Sequence, residues 1–146
     1  AHGMVGGQMI DLLAEHDLSL DIGAISRLQR MKTGAIIAFS CEAGAILGKA
    51  APELRTALRG YAHDLGLAFQ VADDLLDVEG DSAATGKPTG SDAAAGKATF
   101  VSILGVDRAR SQAELLVRQA VAHLDPFEER AELLRQAARF VVDRRA

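Results

Sequence analysis

Three carboxylates stand close together in a segment that is otherwise apolar. Asp73, Asp74 and Asp77 lie in the stretch Phe-Gln-Val-Ala-Asp-Asp-Leu-Leu-Asp, residues 69–77. Burying an unpaired carboxylate is costly, so these groups are expected to meet a metal ion, a basic side chain or a subunit interface. On a helix, Asp73 and Asp77 are four residues apart and can reach one cation together. Ligands that are all oxygen favour Mg²⁺ over zinc or copper.

The helix that carries these carboxylates is predicted to lie inside a bundle. At about 100° per residue, Gln70, Asp73 and Asp77 share one stripe with Asp74 at its edge, and the other two sides of residues 65–78 are apolar. A helix that is apolar on two sides is typical of a bundle interior, so the polar stripe is predicted to face a cavity. An acidic face in contact with solvent explains the motif alone equally well.

One lysine occurs on the face of a predicted helix that would pack in the apolar interior of a bundle. Lys32 falls within the apolar stripe of a predicted helix over 21–50, and Thr33 lies just off its edge. The apolar members of that stripe are Ile25, Leu28, Ile36, Phe39, Ala43 and Leu47. A lysine on a core face must extend its ammonium to solvent or meet an anion.

Two more lysines follow glycines in a long polar segment. Lys87 lies in Gly86-Lys87-Pro88, and Lys97 begins the sequence Lys-Ala-Thr after Gly96. Such pairs let backbone amides and an ammonium converge on an anion. Carboxylates suited to Mg²⁺ together with several lysines indicate diphosphate binding, because the metal and the lysines neutralise the same phosphate oxygens.

The composition and the positions of glycine and proline predict one all-α domain. The 146 residues have the length of a single domain, aromatics make up only 4%, and no strand-like alternation occurs. Helices are predicted over 9–15, 21–50 with Asp21 as N-cap, 53–78, 107–124 and 128–143, with helical pattern resuming near Thr99. Residues 79–96 form a glycine-rich functional loop. Pro52 and Pro126 interrupt the helical pattern.

Charge and cysteine usage exclude several classes of protein. The net charge of −4 argues against a sequence-independent nucleic-acid binder. No apolar run is long enough to span a bilayer and no signal peptide is evident, so a cytoplasmic location is predicted. Cys41 lies in an apolar run and is predicted to be a reduced core residue.

The order of these motifs resembles one enzyme family. The matching segments are Gly3-Met4-Val5-Gly6-Gly7-Gln8 followed by Asp11, Lys32-Thr33-Gly34, residues 69–77, Gly86-Lys87 and Gly96-Lys97-Ala98-Thr99. They occur in the order seen in trans-isoprenyl diphosphate synthases, and are most similar to the bacterial farnesyl diphosphate synthases. The resemblance extends from residue 3 to Arg145. It implies an all-α isoprenoid-synthase bundle around a central cavity, with 1–146 forming the C-terminal part of one polyprenyl synthetase domain.

The resemblance also implies roles for the polar residues. Asp73 and Asp77 would bind Mg²⁺, in several ions that bridge the diphosphate of an allylic substrate, and Asp74 would support them. The ammonium groups expected to contact that diphosphate are those of Lys32, Lys87 and, as the loop closes, Lys97.

Three further residues would line the reaction cavity by the same resemblance. Oxygens of Thr33 and Gln70 would stabilise the allylic carbocation, and Phe69 would shape the pocket around isopentenyl diphosphate. The implied reaction is ionisation of the allylic diphosphate, attack by the isopentenyl double bond and loss of a proton to the departing diphosphate. An apolar cavity would exclude water from the cation.

Family members carry a first aspartate-rich motif upstream of the Gly-Met-Val-Gly-Gly-Gln segment, and this sequence has no counterpart to it. Since it also begins with Ala1-His2, we expect it to be the C-terminal half of such an enzyme and inactive alone. The full-length enzyme is expected to be a homodimer. Alternatives are a synthase making geranylgeranyl or longer products, a non-catalytic regulatory subunit that partners an active synthase, and a helical interaction domain without ligand.

The remaining titratable residues have weaker interpretations. The arginines at 139, 144 and 145 could cap the last helix through its dipole or join the diphosphate site, and capping is the preferred interpretation. The histidines at 2, 16, 63 and 123 show no metal-ligand spacing and are predicted to lie at the surface or at its boundary.

Overall fold

A computed structural model of the chain describes residues 3–14, 30–79 and 99–144. All of the secondary structure in these three ranges is helical, and no strand occurs within them. The prediction of an all-α chain is therefore confirmed. Also within these ranges, no helix combines the length and the apolar character needed to cross a membrane.

The described ranges form six α-helices, one π-helical turn and one 3₁₀ segment. The α-helices are α1 (Gly3–Ala14), α2 (Ala35–Leu47), α3 (Pro52–Glu79), α4 (Phe100–Leu104), α5 (Val106–Ala122) and α6 (Glu132–Asp143). The π-turn covers Arg30–Gly34 and leads directly into α2, while the 3₁₀ segment covers Asp125–Ala131 and leads into α6.

Helix α3 is the central element of the fold. It contacts the π-turn and α2 on one side and α4, α5 and α6 on the other. Its predicted span of 53–78 agrees closely with the observed Pro52–Glu79. The buried core lies mainly between α3, α5 and α6 and includes Tyr61, Ala68, Val71, Leu75, Leu116, Val117, Ala120, Leu124, Ala138 and Val141.

The orientation of α2 differs from the prediction. The stripe expected to face the core is turned outwards, with Phe39 72% and Leu47 83% exposed. The face turned towards α3 carries Ala45, which is buried, and Glu42, which binds arginines of α3. Helix α2 is apolar on nearly every side, so its periodicity could not select the buried face. Cys41 is a free thiol, only half buried, that packs against the core.

The last helix begins later than predicted. Residues 125–131 form the 3₁₀ segment, and α6 starts at Glu132 rather than at Glu128. Glu128 has φ 51° and ψ −137°, a conformation that no α-helix can include. Its carbonyl and that of Leu124 accept hydrogen bonds from the Arg135 guanidinium, so the break leaves neither group unsatisfied.

Candidate functional site

The three aspartates of α3 have different environments. The Asp73 side chain is 56% exposed, Asp77 is half buried, and Asp74 is buried with 7% exposure. One carboxylate oxygen of Asp74 accepts a hydrogen bond from the backbone N–H of Phe100 at 2.8 Å. In the part of the chain that the structure describes, no three His, Cys, Asp or Glu side chains are close enough to hold one metal ion. The pair Asp73 and Asp77 is what this face offers to a cation.

Lys32 and Thr33 lie in the π-turn, both half buried. The turn is seated on α3 at Gly66, because a Cβ atom built on Gly66 would lie 3.1 Å from the Gly34 Cα. The π-turn therefore interrupts the α-helical period that places Lys32 on an apolar stripe. The geometry of the π-turn, rather than an α-helical stripe, sets the direction of the Lys32 side chain.

The π-turn and the aspartates share one side of α3. At about 100° per residue, Gly66, Gln70, Asp73 and Asp77 fall within one narrow stripe. Asp73 is about 10 Å along the helix axis from Gly66, at 1.5 Å per residue. Gln70 lies between them and is buried with 7% exposure. The structure thus brings the Lys32–Thr33 turn, a buried amide and two carboxylates onto the same face.

The Arg144 side chain lies against α3, beside the proposed metal site. Its guanidinium carbon lies 4.3 Å from the centroid of the Phe69 ring, a cation–π contact. One of its terminal nitrogens is 3.4 Å from the Phe69 carbonyl oxygen and 3.5 Å from an Asp73 carboxylate oxygen. Arg144 is the C-cap residue of α6, where its backbone N–H donates to the Phe140 carbonyl at 2.9 Å, but its side chain reaches α3 and lies beside Asp73. Arg139 instead lies 3.7 Å from Glu132 on α6, and residue 145 is outside the described ranges.

Other predicted residues also lie outside the described ranges. Lys87 and Lys97 belong to residues 80–98, and Asp21 belongs to residues 15–29. Phe69 is half buried and packs against the core from the side of α3 that Arg144 covers.

A separate groove of about 740 Å³ lies between α3, α5 and α6. Its apolar lining includes Ala72, Leu75 and Val117, and charged pairs flank it, among them Arg110 with Glu79. Arg144 is among its lining residues, whereas the predicted metal, lysine and cavity residues are not. The groove is therefore distinct from the stripe that carries Gln70, Asp73 and Asp77.

Two histidines that the sequence left isolated share one carboxylate. The Asp64 side chain lies 3.0 Å from the His63 ring and 3.1 Å from the His123 ring. His123 follows the end of α5, so this contact ties α5 to the middle of α3. Their separation along the chain hid the pairing from the sequence.

Comparison with known proteins places the chain in a class of all-α synthases. The chain superposes on the crystal structure of an FPP/GFPP synthase from Zymomonas mobilis with a TM-score of 0.80 and 50% identity, over 96% of this chain and 45% of that one. It also matches a polyprenyl synthase from Caulobacter crescentus, complexed with calcium and isoprenyl diphosphate, with a TM-score of 0.87, 28% identity, and coverage of 98% of this chain and 56% of that one.

The family follows from the sequence matches. The polyprenyl synthetase family model matches residues 1–139, so the chain belongs to the polyprenyl synthetase family. A dimethylallyltranstransferase from Fischerella ambigua is 39% identical over 144 residues, covering 99% of this chain and 42% of the relative. The farnesyl diphosphate synthase of Escherichia coli K12 is 41% identical over 130 residues, covering 88% of this chain and 43% of the relative. The chain thus spans less than half the length of these two relatives.

Proposed function

We propose that this chain is the C-terminal half of a trans-prenyl diphosphate synthase, which condenses isopentenyl diphosphate with dimethylallyl or geranyl diphosphate. The observation that carries the proposal is the shared face of α3, where the Lys32–Thr33 turn, Gln70 and the pair Asp73 and Asp77 meet. Membership of the polyprenyl synthetase family supports it. So do two structural relatives crystallised with isoprenyl diphosphate, one with calcium and one, a geranyltransferase from Helicobacter pylori, with magnesium.

The donor set on α3 fits Mg²⁺. Asp73 and Asp77 present only oxygen atoms from adjacent turns, which suits a hard divalent cation that also keeps waters and substrate phosphates. When bound, Mg²⁺ would stabilise negative charge on the departing diphosphate. Asp74 is proposed to support the site from behind, since its buried carboxylate holds the backbone of Phe100.

The other residues are proposed to act on the substrates. The ammonium of Lys32, with those of Lys87 and Lys97, holds the diphosphate and compensates its charge as the allylic C–O bond breaks. Oxygens of Thr33 and Gln70 face the carbocation, and Phe69 bounds the isopentenyl pocket. The isopentenyl double bond then attacks the cation, and diphosphate accepts the proton that is lost.

Farnesyl diphosphate is the product we propose. The E. coli and Zymomonas relatives are named for it, alone or with a longer product. Other relatives are named geranylgeranyl or geranylfarnesyl diphosphate synthases, so longer products are the alternative. Chromatography of the products formed by the full-length protein from geranyl and isopentenyl diphosphates distinguishes them.

The test of the activity uses the full-length protein that contains this chain. Asp73→Ala is expected to reduce prenyl transfer by about 100-fold or more, because it removes charge stabilisation that acts in the transition state. Near-normal turnover would overturn the assignment. If the protein is instead a regulatory subunit, the full-length protein is expected to show no turnover unless a second subunit is added. The isolated 146 residues are expected to show no prenyl transfer, and condensation by the purified chain would contradict their being one half of the site.

The full-length protein is also proposed to be a cytoplasmic homodimer. The outward stripe of α2, with Ile36, Phe39 and Leu47 exposed, is apolar surface of the kind that interfaces cover. Light scattering of full-length Phe39→Glu tests this placement. A monomer that retains its fold supports an interface there, whereas an unchanged dimer places the interface elsewhere.

A further inference from the structure

The π-turn is in direct backbone contact with two neighbouring helices. A Cβ atom built on Gly7 of α1 would lie 2.5 Å from the Lys32 backbone nitrogen and 2.8 Å from its Cα. A Cβ atom built on Gly66 of α3 would lie 3.1 Å from the Gly34 Cα. All three glycines are buried. The turn is thus held between α1 and α3 with no side chain in between.

Glycine lowers the stability of a helix, and the close approach of the π-turn explains why it occurs at these two helical positions. A glycine inside a helix is less favourable than alanine by about 0.5–1 kcal/mol, because it loses more backbone entropy. Helices that meet through side chains keep their axes about 8–10 Å apart. Removing both Cβ atoms lets α1 and α3 approach the backbone of the π-turn itself.

A π-helical turn is a rare departure from the α-helix and is frequently found at functional sites. The residues inside this one are Lys32 and Thr33, and their backbone position sets where the ammonium and hydroxyl can reach. Holding the backbone rigidly leaves only side-chain freedom to be lost when a ligand binds. Catalytic sites depend on groups positioned in this way.

We infer that Gly7 and Gly66 are positioning residues of the diphosphate site: they hold the Lys32–Thr33 backbone against the aspartate side of α3. This inference rests on the proposed function. A methyl group added at either position is therefore expected to weaken diphosphate binding by displacing Lys32, rather than by destabilising the fold.

The chain supplies a matched control in Gly44 of α2. A Cβ atom there would meet nothing within 4 Å, so Gly44→Ala adds a methyl group to a helix without touching the π-turn. Gly66→Ala is the main test variant. Its 3.1 Å contact can be relieved by a shift of a few tenths of an ångström, whereas the 2.5 Å contact of Gly7→Ala requires the turn to move.

The experiment measures binding of Mg²⁺ together with inorganic diphosphate to the full-length protein that contains this chain by isothermal titration calorimetry, with circular dichroism to verify helicity. Gly66→Ala is expected to weaken binding about tenfold, since the displaced turn weakens the hydrogen bond from the Lys32 ammonium to the charged diphosphate. Gly44→Ala is expected to bind as the parent does. In a Lys32→Met background, Gly66→Ala is expected to cause no further loss, which a double-mutant cycle reports as coupling.

The possible outcomes distinguish failure of the inference about the glycines from failure of the proposed function. If the unsubstituted full-length protein does not bind Mg²⁺ with diphosphate, both fail. If the parent binds and Gly66→Ala binds equally well, the proposed function stands and the inference is overturned. The same holds if Gly66→Ala weakens binding as much in the Lys32→Met background as in the parent, because the effect would then not pass through the lysine. Should Gly7→Ala fail to fold, Gly66→Ala alone decides.

Discussion

The buried carboxylate of Asp74 accepts a hydrogen bond at 2.8 Å from the backbone N–H of Phe100, 26 positions further along the chain. Phe100 is the first residue of α4, and the preceding Thr99 caps that helix through a capping box with Ser102. Asp74 therefore fixes the start of α4 against α3.

Removing the Asp74 carboxylate should destabilise the fold. Asp74→Ala leaves the buried N–H of Phe100 without its acceptor, which costs about 1–3 kcal/mol. Asp74→Asn keeps an oxygen acceptor and should cost less. Urea unfolding followed by circular dichroism measures both variants. Asp73→Ala is the control, because that side chain is 56% exposed and its 3.5 Å pair with Arg144 contributes only about 0–1 kcal/mol. Equal stability of the Asp74 variants would contradict the role of the hydrogen bond.

Arg144 should compete with metal at Asp73. Its guanidinium lies 3.5 Å from the Asp73 carboxylate, so one positive charge already neutralises part of the proposed site. In Arg144→Gln, affinity for Mg²⁺ alone should rise a few-fold, by about the 0–1 kcal/mol that an exposed ion pair contributes. Calorimetric titration with Mg²⁺ measures this change. Arg139→Gln removes an equal charge that pairs with Glu132 on α6, and it should leave the affinity as it is. Weaker Mg²⁺ binding by Arg144→Gln would show that the arginine assists the metal.

Acid should loosen the contact between α2 and α3. Hydrogen bonds from Arg59 and Arg55, the Arg59 bonds at 3.0 and 3.1 Å, lower the pKa of Glu42 to about 2. Folding therefore stabilises the ionised form of Glu42, relative to the unfolded chain, in which the pKa of this carboxyl is 4.5. The resulting stability is present above pH 4.5 and is lost as the pH falls towards 2.

Thermal unfolding between about pH 2 and 6 tests this dependence. The parent should lose stability through that range more steeply than Glu42→Gln, which cannot titrate and lacks the charged pair at every pH. Parallel curves for the two proteins would mean that other groups govern the acid response.

Gly105 should tolerate no side chain. It is at once the C-cap of α4 and the N-cap of α5, with φ 80° and ψ 159°. A residue with a Cβ atom is strained there, so Gly105→Ala should cost about 1–3 kcal/mol. Gly44→Ala, which replaces an exposed glycine inside α2, should be neutral or slightly stabilising because helical alanine is preferred. Chemical denaturation compares the two, and a Gly105→Ala chain as stable as Gly44→Ala would exclude strain at this position.

The sequence predicted correctly those features that depend on residue spacing within a single helix. The span of α3 and the shared stripe of Gln70, Asp73 and Asp77 both follow from period and spacing. The burial of Asp74 did not follow, because its partner is a backbone amide that no side-chain pattern reveals. The sequence could not select between the two interpretations of Arg144, since its contact with Asp73 joins residues 71 positions apart.

Two local features escaped the sequence for other physical reasons. The π-turn breaks the period of about 3.6 residues per turn, so projecting Lys32 onto an α-helical stripe gave the wrong surroundings. Helix α2 is apolar almost all round, and a tertiary ion pair at Glu42 selected the side that faces α3. Neither the extra residue of a π-turn nor a distant ion pair is visible in apolar spacing.

Tyr61 gives the molecule a built-in optical reporter. The chain has one tyrosine and no tryptophan, so its near-ultraviolet absorbance above the phenylalanine bands comes from this ring. The ring is buried, and its hydroxyl donates a 2.9 Å hydrogen bond to the Leu134 carbonyl of α6. Burial raises the pKa of Tyr61 to about 12. Appearance of the tyrosinate band at lower pH would therefore record the departure of α6 from α3, without any label attached to the chain.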